Sequence, residues 1–363
     1  MRKSLAAIAY AGLWAGTQSC GAGREMIRPS DPSVAVMGRV DRSQPDRLRI
    51  GYPGVTLRLR LEGPALYLRA SSTTAASRLD VSIDAAAPRM VAVPKIEAEI
   101  VLAEGLTAGA HTVEVVHRTE TWQGVVTVAG FRLAPGGRLL PPPAWPARRL
   151  LVIGDSVTCG EAIDRTDVCL KDSATWDPVA SYGMVLGRAL EAQVHLVCYG
   201  GRGLVRDWRG KTNVLNAPQF FDLAVPEERR APRWEHAGYV PDAVVVSLGT
   251  NDFNLDIGDL PAREEWVGAY VAFARAIRAR YPQAQVFLTE GAIVDDEKDP
   301  RRPQRAVLRA YIDEAVRRAR DPRLHAIRSR HYPGDACNPH PTRAQHAAMA
   351  RDLEPDIRAA LGW

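Results

Sequence analysis

From Val34 to about Leu140, apolar and polar residues alternate. The run Val55-Thr56-Leu57-Arg58-Leu59-Arg60-Leu61 shows it clearly, and Ala65 to Arg69, Leu79 to Asp84, His111 to Val116 and Val125 to Phe131 continue it. A period of two puts one face of each strand on a core and the other in water. Glycine-containing turns separate the runs, at Gly51, Gly54, Gly63, Gly105, Gly109 and Gly124, and no long helical pattern interrupts them. Many short strands with turn signals predict an all-β, antiparallel sandwich over residues 34–140. Pro141-Pro142-Pro143-Ala144-Trp145-Pro146 then breaks the pattern, because such a run is stiff, extended and short of N–H donors. Residues 141–149 are read as a short Pro-rich linker.

After Arg149 the rhythm changes. Apolar runs at Leu150–Ile153, Val194–Tyr199, Ala243–Leu248, Val286–Thr289 and Leu324–Ile327 are strand candidates. Between them lie helical periodicities: Glu264 to Arg280, Pro303 to Arg320, and Arg343 to Leu361. Thr342 followed three residues later by Gln345 is a capping box for the last helix. Alternating strands and helices predict a parallel sheet covered on both faces, an α/β/α domain over residues 150–363.

Composition adds little to the fold and something to the address. The chain has 363 residues, 46% hydrophobic and 25% charged, which suits two soluble globular domains. Its formal net charge of +5 comes from scattered arginines rather than a basic stripe, so no nucleic-acid surface is expected. Arg2 and Lys3 precede an apolar run from Leu5 to Ala15 that is too short to span a bilayer. Residues 1–24 therefore read as an export signal. Ser19-Cys20-Gly21 resembles a lipoprotein cleavage box, with Cys20 as the candidate lipid anchor, although Thr17 stands where such boxes carry an aliphatic residue. The expected location is outside the cytoplasm: periplasmic, outer-membrane lipoprotein or secreted. Export permits disulfides. Cys159, Cys169, Cys198 and Cys337 allow three full pairings. Cys159 and Cys169, close together on one loop, are the first pair to expect. No metal-ligand spacing stands out.

The chemistry-bearing residues cluster after strands. Gly154-Asp155-Ser156 follows the first strand of the α/β domain, Gly200-Gly201-Arg202-Gly203 the second, and Gly249-Thr250-Asn251-Asp252 the third. His340 follows the last strand and precedes the last helix. In a parallel sheet these positions share one edge, so residues far apart in sequence can share one pocket. Each piece alone is an ordinary turn or helix start. Together their types fit acyl transfer. A serine hydroxyl needs a base to take its proton, and His340 is of the right kind. Ser156 N–H, Gly201 N–H and the Asn251 side chain are donors for the oxyanion that follows attack on an ester carbonyl.

This order resembles the SGNH (GDSL-type) hydrolases. Closer still, the β-rich first domain, the run His117-Arg118-Thr119-Glu120, the run Gly154 to Gly160 and the run Gly201 to Asp207 look like carbohydrate esterase family 2. The resemblance covers roughly residues 34 to 363. It implies an N-terminal jelly-roll domain, a C-terminal SGNH hydrolase domain of flavodoxin-like architecture, and removal of acetyl groups from polysaccharides such as xylan or glucomannan. It implies no metal and no organic cofactor. Position by position, it makes Ser156 the nucleophile, His340 the base, and Ser156, Gly201 and Asn251 the oxyanion hole.

One departure concerns what orients His340. Cys337 and Asn338 occupy the positions where a carboxylate is common in this family. Asp335 is near but displaced. The favoured expectation is a Ser–His dyad oriented by a main-chain carbonyl of the Cys337–Pro339 segment, with Asp335 as the alternative. Trp176 and Trp208, in loops after the first two strands of the α/β domain, are candidate platforms for a sugar ring; ordinary packing is the other reading. Two rival functions remain at this level: an SGNH esterase or lipase for other small acyl esters or cell-envelope glycans, and a glycan-binding protein whose hydrolase domain is inert.

Overall fold

The computed structural model describes residues 26–166, 169, 172–226 and 231–363. Cys20 and the expected export signal lie outside the described residues. The first half forms ten strands: β1 (Ala35–Met37), β2 (Leu48–Ile50), β3 (Thr56–Glu62), β4 (Ala65–Ser72), β5 (Arg78–Ile83), β6 (Arg89–Ala92), β7 (Ala98–Glu104), β8 (Ala110–His117), β9 (Val126–Leu133) and β10 (Arg138–Leu140). They make two antiparallel sheets. One runs β1-β3-β8-β5-β6, with β10 also pairing β3, and the other runs β2-β9-β4-β7. The alternation explains the packing: Leu57, Leu59 and Leu61 of β3 point inward to meet Leu66 and Leu68 of β4 and Val126, Val128 and Phe131 of β9 in one core.

The second half forms a five-stranded parallel sheet of β11 (Arg148–Gly154), β12 (Ala192–Cys198), β13 (Ala243–Leu248), β14 (Gln285–Glu290) and β15 (Leu324–Ala326). Its order is β12-β11-β13-β14-β15, a doubly wound arrangement with β11 at the switch point. Among the described residues six α-helices alternate with these strands: α1 (Ser156–Cys159), α2 (Tyr182–Ala189), α3 (Ala217–Phe220), α4 (Arg263–Arg280), α5 (Gln304–Ala319) and α6 (Arg343–Leu361). Leu150 and Val152 of β11 pack on one side with α2 and α6 residues such as Leu186, Met349 and Leu353. Leu151 and Ile153 face the other side, with Trp266 and Tyr270 of α4 and Leu308 of α5. Covering both faces is why β11 and β13 read as continuous apolar runs rather than alternating ones. No described helix is long and apolar enough to cross a membrane.

The two halves share a core: Tyr52, next to the sandwich, is fully buried and its hydroxyl donates to Phe220 O at 2.7 Å. The connection between them is held rather than loose. Arg58 lays its guanidinium 3.7 Å over the Trp145 ring, and β11 already begins at Arg148. The expected Cys159–Cys169 pair is not formed. The disulfides are Cys159–Cys198 and Cys169–Cys337. The reason is register: Gly154 of β11 pairs with Cys198 of β12, so the helix turn that starts at Ser156 brings Cys159 back over the end of β12.

Candidate active site

Ser156 is the first residue of α1, directly beyond β11. Asp155 caps that helix, its carboxylate accepting from Val157 N–H at 3.1 Å. Burial pushes the Asp155 carboxyl up to about 7. Gly154 is dictated by the tight turn, since a Cβ there would meet Thr158 Oγ1 at 2.0 Å. His340 arrives from the loop between β15 and α6. The Thr342–Gln345 capping box, with both reciprocal bonds formed, fixes where that loop ends. Ser156 Oγ lies 2.8 Å from His340 Nε2.

The other face of the imidazole settles its tautomer. Asn338 Oδ1 lies 2.9 Å from the His340 main-chain N and 2.7 Å from His340 Nδ1. A backbone N–H can only donate, so the Asn338 atom it meets is the oxygen. That oxygen can only accept, so Nδ1 carries the ring proton and Nε2 presents its lone pair to the Ser156 hydroxyl. This corrects the expectation of a main-chain carbonyl: the buried side-chain amide of Asn338 does the holding. Asp335 is engaged elsewhere. It pairs with Arg165 Nε at 2.7 Å and accepts from the N–H groups of Cys337 (2.9 Å) and Asn338 (3.2 Å). The bond from Arg165 holds its carboxyl below the ordinary value. Arg165 also donates to His340 O at 2.9 Å. Cys337 contributes its disulfide to Cys169.

The other oxyanion candidates, Gly201 and Asn251, line the same cleft as Ser156. Gly201 has φ +74°, and a Cβ there would meet Trp208 Cδ1 at 2.6 Å, so glycine is required on both counts. Its neighbours are fastened on three sides. Gly200 N–H donates to Glu120 Oε2 at 2.6 Å, Trp208 N–H to Gly201 O at 2.9 Å, and Asn251 Nδ2 to Arg202 O at 2.9 Å. Asp252, fully buried, accepts from the N–H groups of Leu204, Val205 and Arg206. The Gly-Thr-Asn-Asp segment thus holds the glycine-rich loop in place, and Asn251, whose Nδ2 also lies 3.4 Å from Asp155 Oδ2, lines the cleft.

Two aromatic expectations divide. Trp208 is 49% exposed and lines the cleft with Ser156 and His340. Trp176 is 5% exposed and donates its Nε1–H to Glu120 Oε1 at 2.8 Å, so it is a packing residue, not a platform. In its place stands Trp122, from the first half of the chain, half exposed and on the wall of the same cleft. Trp122 Nε1–H donates to Glu120 Oε2 at 3.1 Å. Glu120 therefore gathers three N–H donors at the seam between the halves while itself almost wholly buried. Burial pushes its carboxyl up and the three donors oppose that. Arg118, two residues earlier, bonds Asp80 within the sandwich and Asp164 across the seam. The His117–Glu120 run thus joins the halves, and no local sequence pattern marks that role or those of Trp122, Arg165 and Glu161, another cleft residue. The cleft has a volume of about 1020 Å³.

A hydroxyl 2.8 Å from an imidazole nitrogen at the edge of a parallel sheet, in a cleft that Gly201 and Asn251 also line, is an arrangement suited to acyl transfer. Comparisons agree. Residues 152–355 match the GDSL-like lipase/acylhydrolase family, which covers more than half of the chain, and the protein is a carboxylic ester hydrolase. Residues 36–143 match the carbohydrate esterase 2 N-terminal domain. An acetylxylan esterase / glucomannan deacetylase of Cellvibrio japonicus (strain Ueda107) is 40% identical over 347 residues, spanning 96% of this chain and 94% of the relative. The chain belongs to carbohydrate esterase family 2. A family two carbohydrate esterase structure from Cellvibrio japonicus superposes with a TM-score of 0.88 at 40% identity, covering 93% of this chain and 98% of that one. A second, from Clostridium thermocellum in complex with cellohexaose, gives 0.80 at 26% identity, covering 91% and 99%.

Proposed function

We propose that this protein is an exported serine esterase that removes O-acetyl groups from plant-type polysaccharide or oligosaccharide, xylan or glucomannan being the backbones to test first. The 2.8 Å contact between Ser156 Oγ and His340 Nε2 at the floor of the cleft carries the reading. Ser156 Oγ attacks the acetyl carbonyl carbon and its proton passes to Nε2. Ser156 N–H, Gly201 N–H and Asn251 Nδ2 receive the oxyanion, each such donor being worth about 3 kcal/mol of barrier. The C–O bond to the sugar breaks as Nε2 returns the proton to the leaving oxygen. Water then attacks the acetyl-serine with His340 again as base, and acetate leaves. Asn338 keeps the ring in the tautomer that this sequence needs, a task a carboxylate performs in the Ser–His–Asp arrangement. Trp208 and Trp122, on the cleft walls, offer flat apolar faces to a sugar ring.

The relatives named above support the substrate class, one being an acetylxylan esterase / glucomannan deacetylase and another having been solved with a cello-oligosaccharide. The test is acetate release by wild type and Ser156→Ala from acetylated xylan, acetylated glucomannan, 4-nitrophenyl acetate and longer acyl esters. Ser156-dependent release from the polysaccharides is expected. A preference for long acyl chains would overturn the deacetylase reading, and glycan binding without any turnover would favour an inert, binding-only protein. Export is tested separately, by the mass of the N-terminal peptide recovered from the cell envelope and the medium; a full-length N-terminus found only inside the cell would contradict it.

A further inference from the structure

Asn338 leaves one task undone. A carboxylate at Nδ1 would both orient the ring and offset the positive charge that the ring acquires when it takes the Ser156 proton; a neutral amide does only the first. The structure puts a carboxylate on the opposite side. Glu161 follows Gly160, the left-handed residue (φ 81°) that ends α1, and its N–H donates to Ser156 O at 3.0 Å. That short link from the nucleophile leads its side chain into the cleft, where Oε2 lies 3.4 Å from His340 Nε2. The two side chains are 24% and 17% exposed, so the pair is largely withdrawn from water and its attraction is only partly screened.

We propose that Glu161 is a catalytic residue: its carboxylate stabilises the His340 imidazolium from the Nε2 side, so that orientation and charge compensation are divided between Asn338 and Glu161. The inference rests on the Ser156–His340 reading above and deepens it. Glu161 takes no proton in this scheme. The proton moves from Ser156 Oγ to Nε2 and on to the sugar oxygen, while the carboxylate stands beside its path.

The other charged groups around the ring are common to wild type and variant. Arg165 bonds His340 O and pairs with Asp335. His346 of α6 is buried and held neutral, burial moving its titration down to about 3. Arg343 pairs with Asp164 and Asp177. Across the cleft, Arg202 stands 3.7 Å from Asp207. Beyond Ser156, Asp155 titrates near 7 and contributes equally to both profiles.

The test is the pH profile of kcat/KM for wild type, Glu161→Gln and Glu161→Asp, on 4-nitrophenyl acetate and on an acetylated xylo-oligosaccharide. An opposite charge at this range favours the protonated ring, so removing it moves the acid limb down by about one pH unit. The same loss destabilises the imidazolium formed in the transition state, so the alkaline plateau falls by about tenfold. The two profiles should therefore meet on the acid side and diverge on the alkaline side, with Glu161→Asp lying between. A side chain that only packs would lower both limbs together. Superimposable profiles would overturn the inference while leaving the esterase reading intact. So would a raised KM on the oligosaccharide alone, which would make Glu161 a sugar contact. An equal melting temperature for wild type and Glu161→Gln guards against misfolding. Absence of Ser156-dependent turnover in the wild type would instead remove the reading beneath and this inference with it.

Discussion

The two halves of the proposed catalytic centre are built on different principles. Ser156, Gly201 and Asn251 each lie within three residues of a strand end in one buried sheet, so packing places them. Their loops are held by main-chain bonds to buried carboxylates: Asp155 under Ser156, Asp252 under the glycine-rich loop, Glu120 under Gly200. The disulfide on this side, Cys159–Cys198, is itself buried. His340 is carried instead by an irregular loop. It is fastened by Asn338, by the Arg165–Asp335 ion pair, and by Cys169–Cys337 at the surface. The sheet supplies the proposed nucleophile and oxyanion donors with rigidity. The base depends on discrete fasteners, each of which can be removed.

Asn338→Ala should have the largest effect. Loss of the tautomer-fixing oxygen should lower kcat by about a hundredfold or more, since a mis-set tautomer costs a serine protease about 10⁴. Asp335→Asn, by contrast, keeps an oxygen that can accept from the Cys337 and Asn338 N–H groups, so the loop stays fastened and turnover should be nearly intact. A several-hundredfold loss in steady-state assays of Asp335→Asn would return the orienting role to that carboxylate.

Next comes the seam. Glu120→Ala leaves three N–H donors without their acceptor, and the buried one, Trp176 Nε1–H, costs about 1–3 kcal/mol by itself. The melting temperature should fall by roughly 5 °C or more, and kcat by about tenfold as Gly201 loses its support. An unchanged kcat with a lowered melting temperature would make Glu120 purely structural.

The disulfides give a smaller, paired contrast. Both close loops, spanning 39 residues for Cys159–Cys198 and 168 for Cys169–Cys337, so replacing either pair with serine should lower the melting temperature. Only the Cys169–Cys337 replacement should lower kcat at temperatures well below melting, by a few-fold. Equal kcat effects from the two pairs would blur the distinction between the halves.

The smallest effect concerns acid stability. Burial moves His346 down to about 3 and His117 down to about 4. Both are neutral in the fold and protonate on unfolding. Their stabilisation is present above about pH 6.5 and is lost as pH falls through the folded values, at up to about 1.4 kcal/mol per pH unit for each group. His346→Gln, whose amide oxygen can still accept from Tyr182 N–H, should flatten part of this slope in chemical denaturation between pH 6.5 and 4.

How much of this was legible in the sequence follows the same division. The helix Arg343–Leu361 and its capping box are found where the periodicity put them, and β11, β12 and β13 are found within two residues at either end. Such elements are set by local hydrophobic period, which a sequence displays openly. The shared sheet edge followed from topology alone. What the sequence did not disclose depends on contacts between segments distant in the chain. Cys159 meets Cys198 because of strand register. Trp176 is buried because the seam covers it, and Trp122 reaches the cleft because the sandwich docks beside it. Whether Asn338 would offer its side chain or a main-chain carbonyl turned on the conformation of one loop.

The central claim, a serine activated by a histidine whose tautomer a neutral amide enforces, is tested most directly by nitrogen NMR of the histidine rings at neutral pH. The His340 signals are assigned by their loss in His340→Ala. The ring proton is expected on Nδ1, with Nε2 bare, and that preference should be lost in Asn338→Ala. A proton resident on Nε2 in the wild type would leave Ser156 without its acceptor and contradict the account.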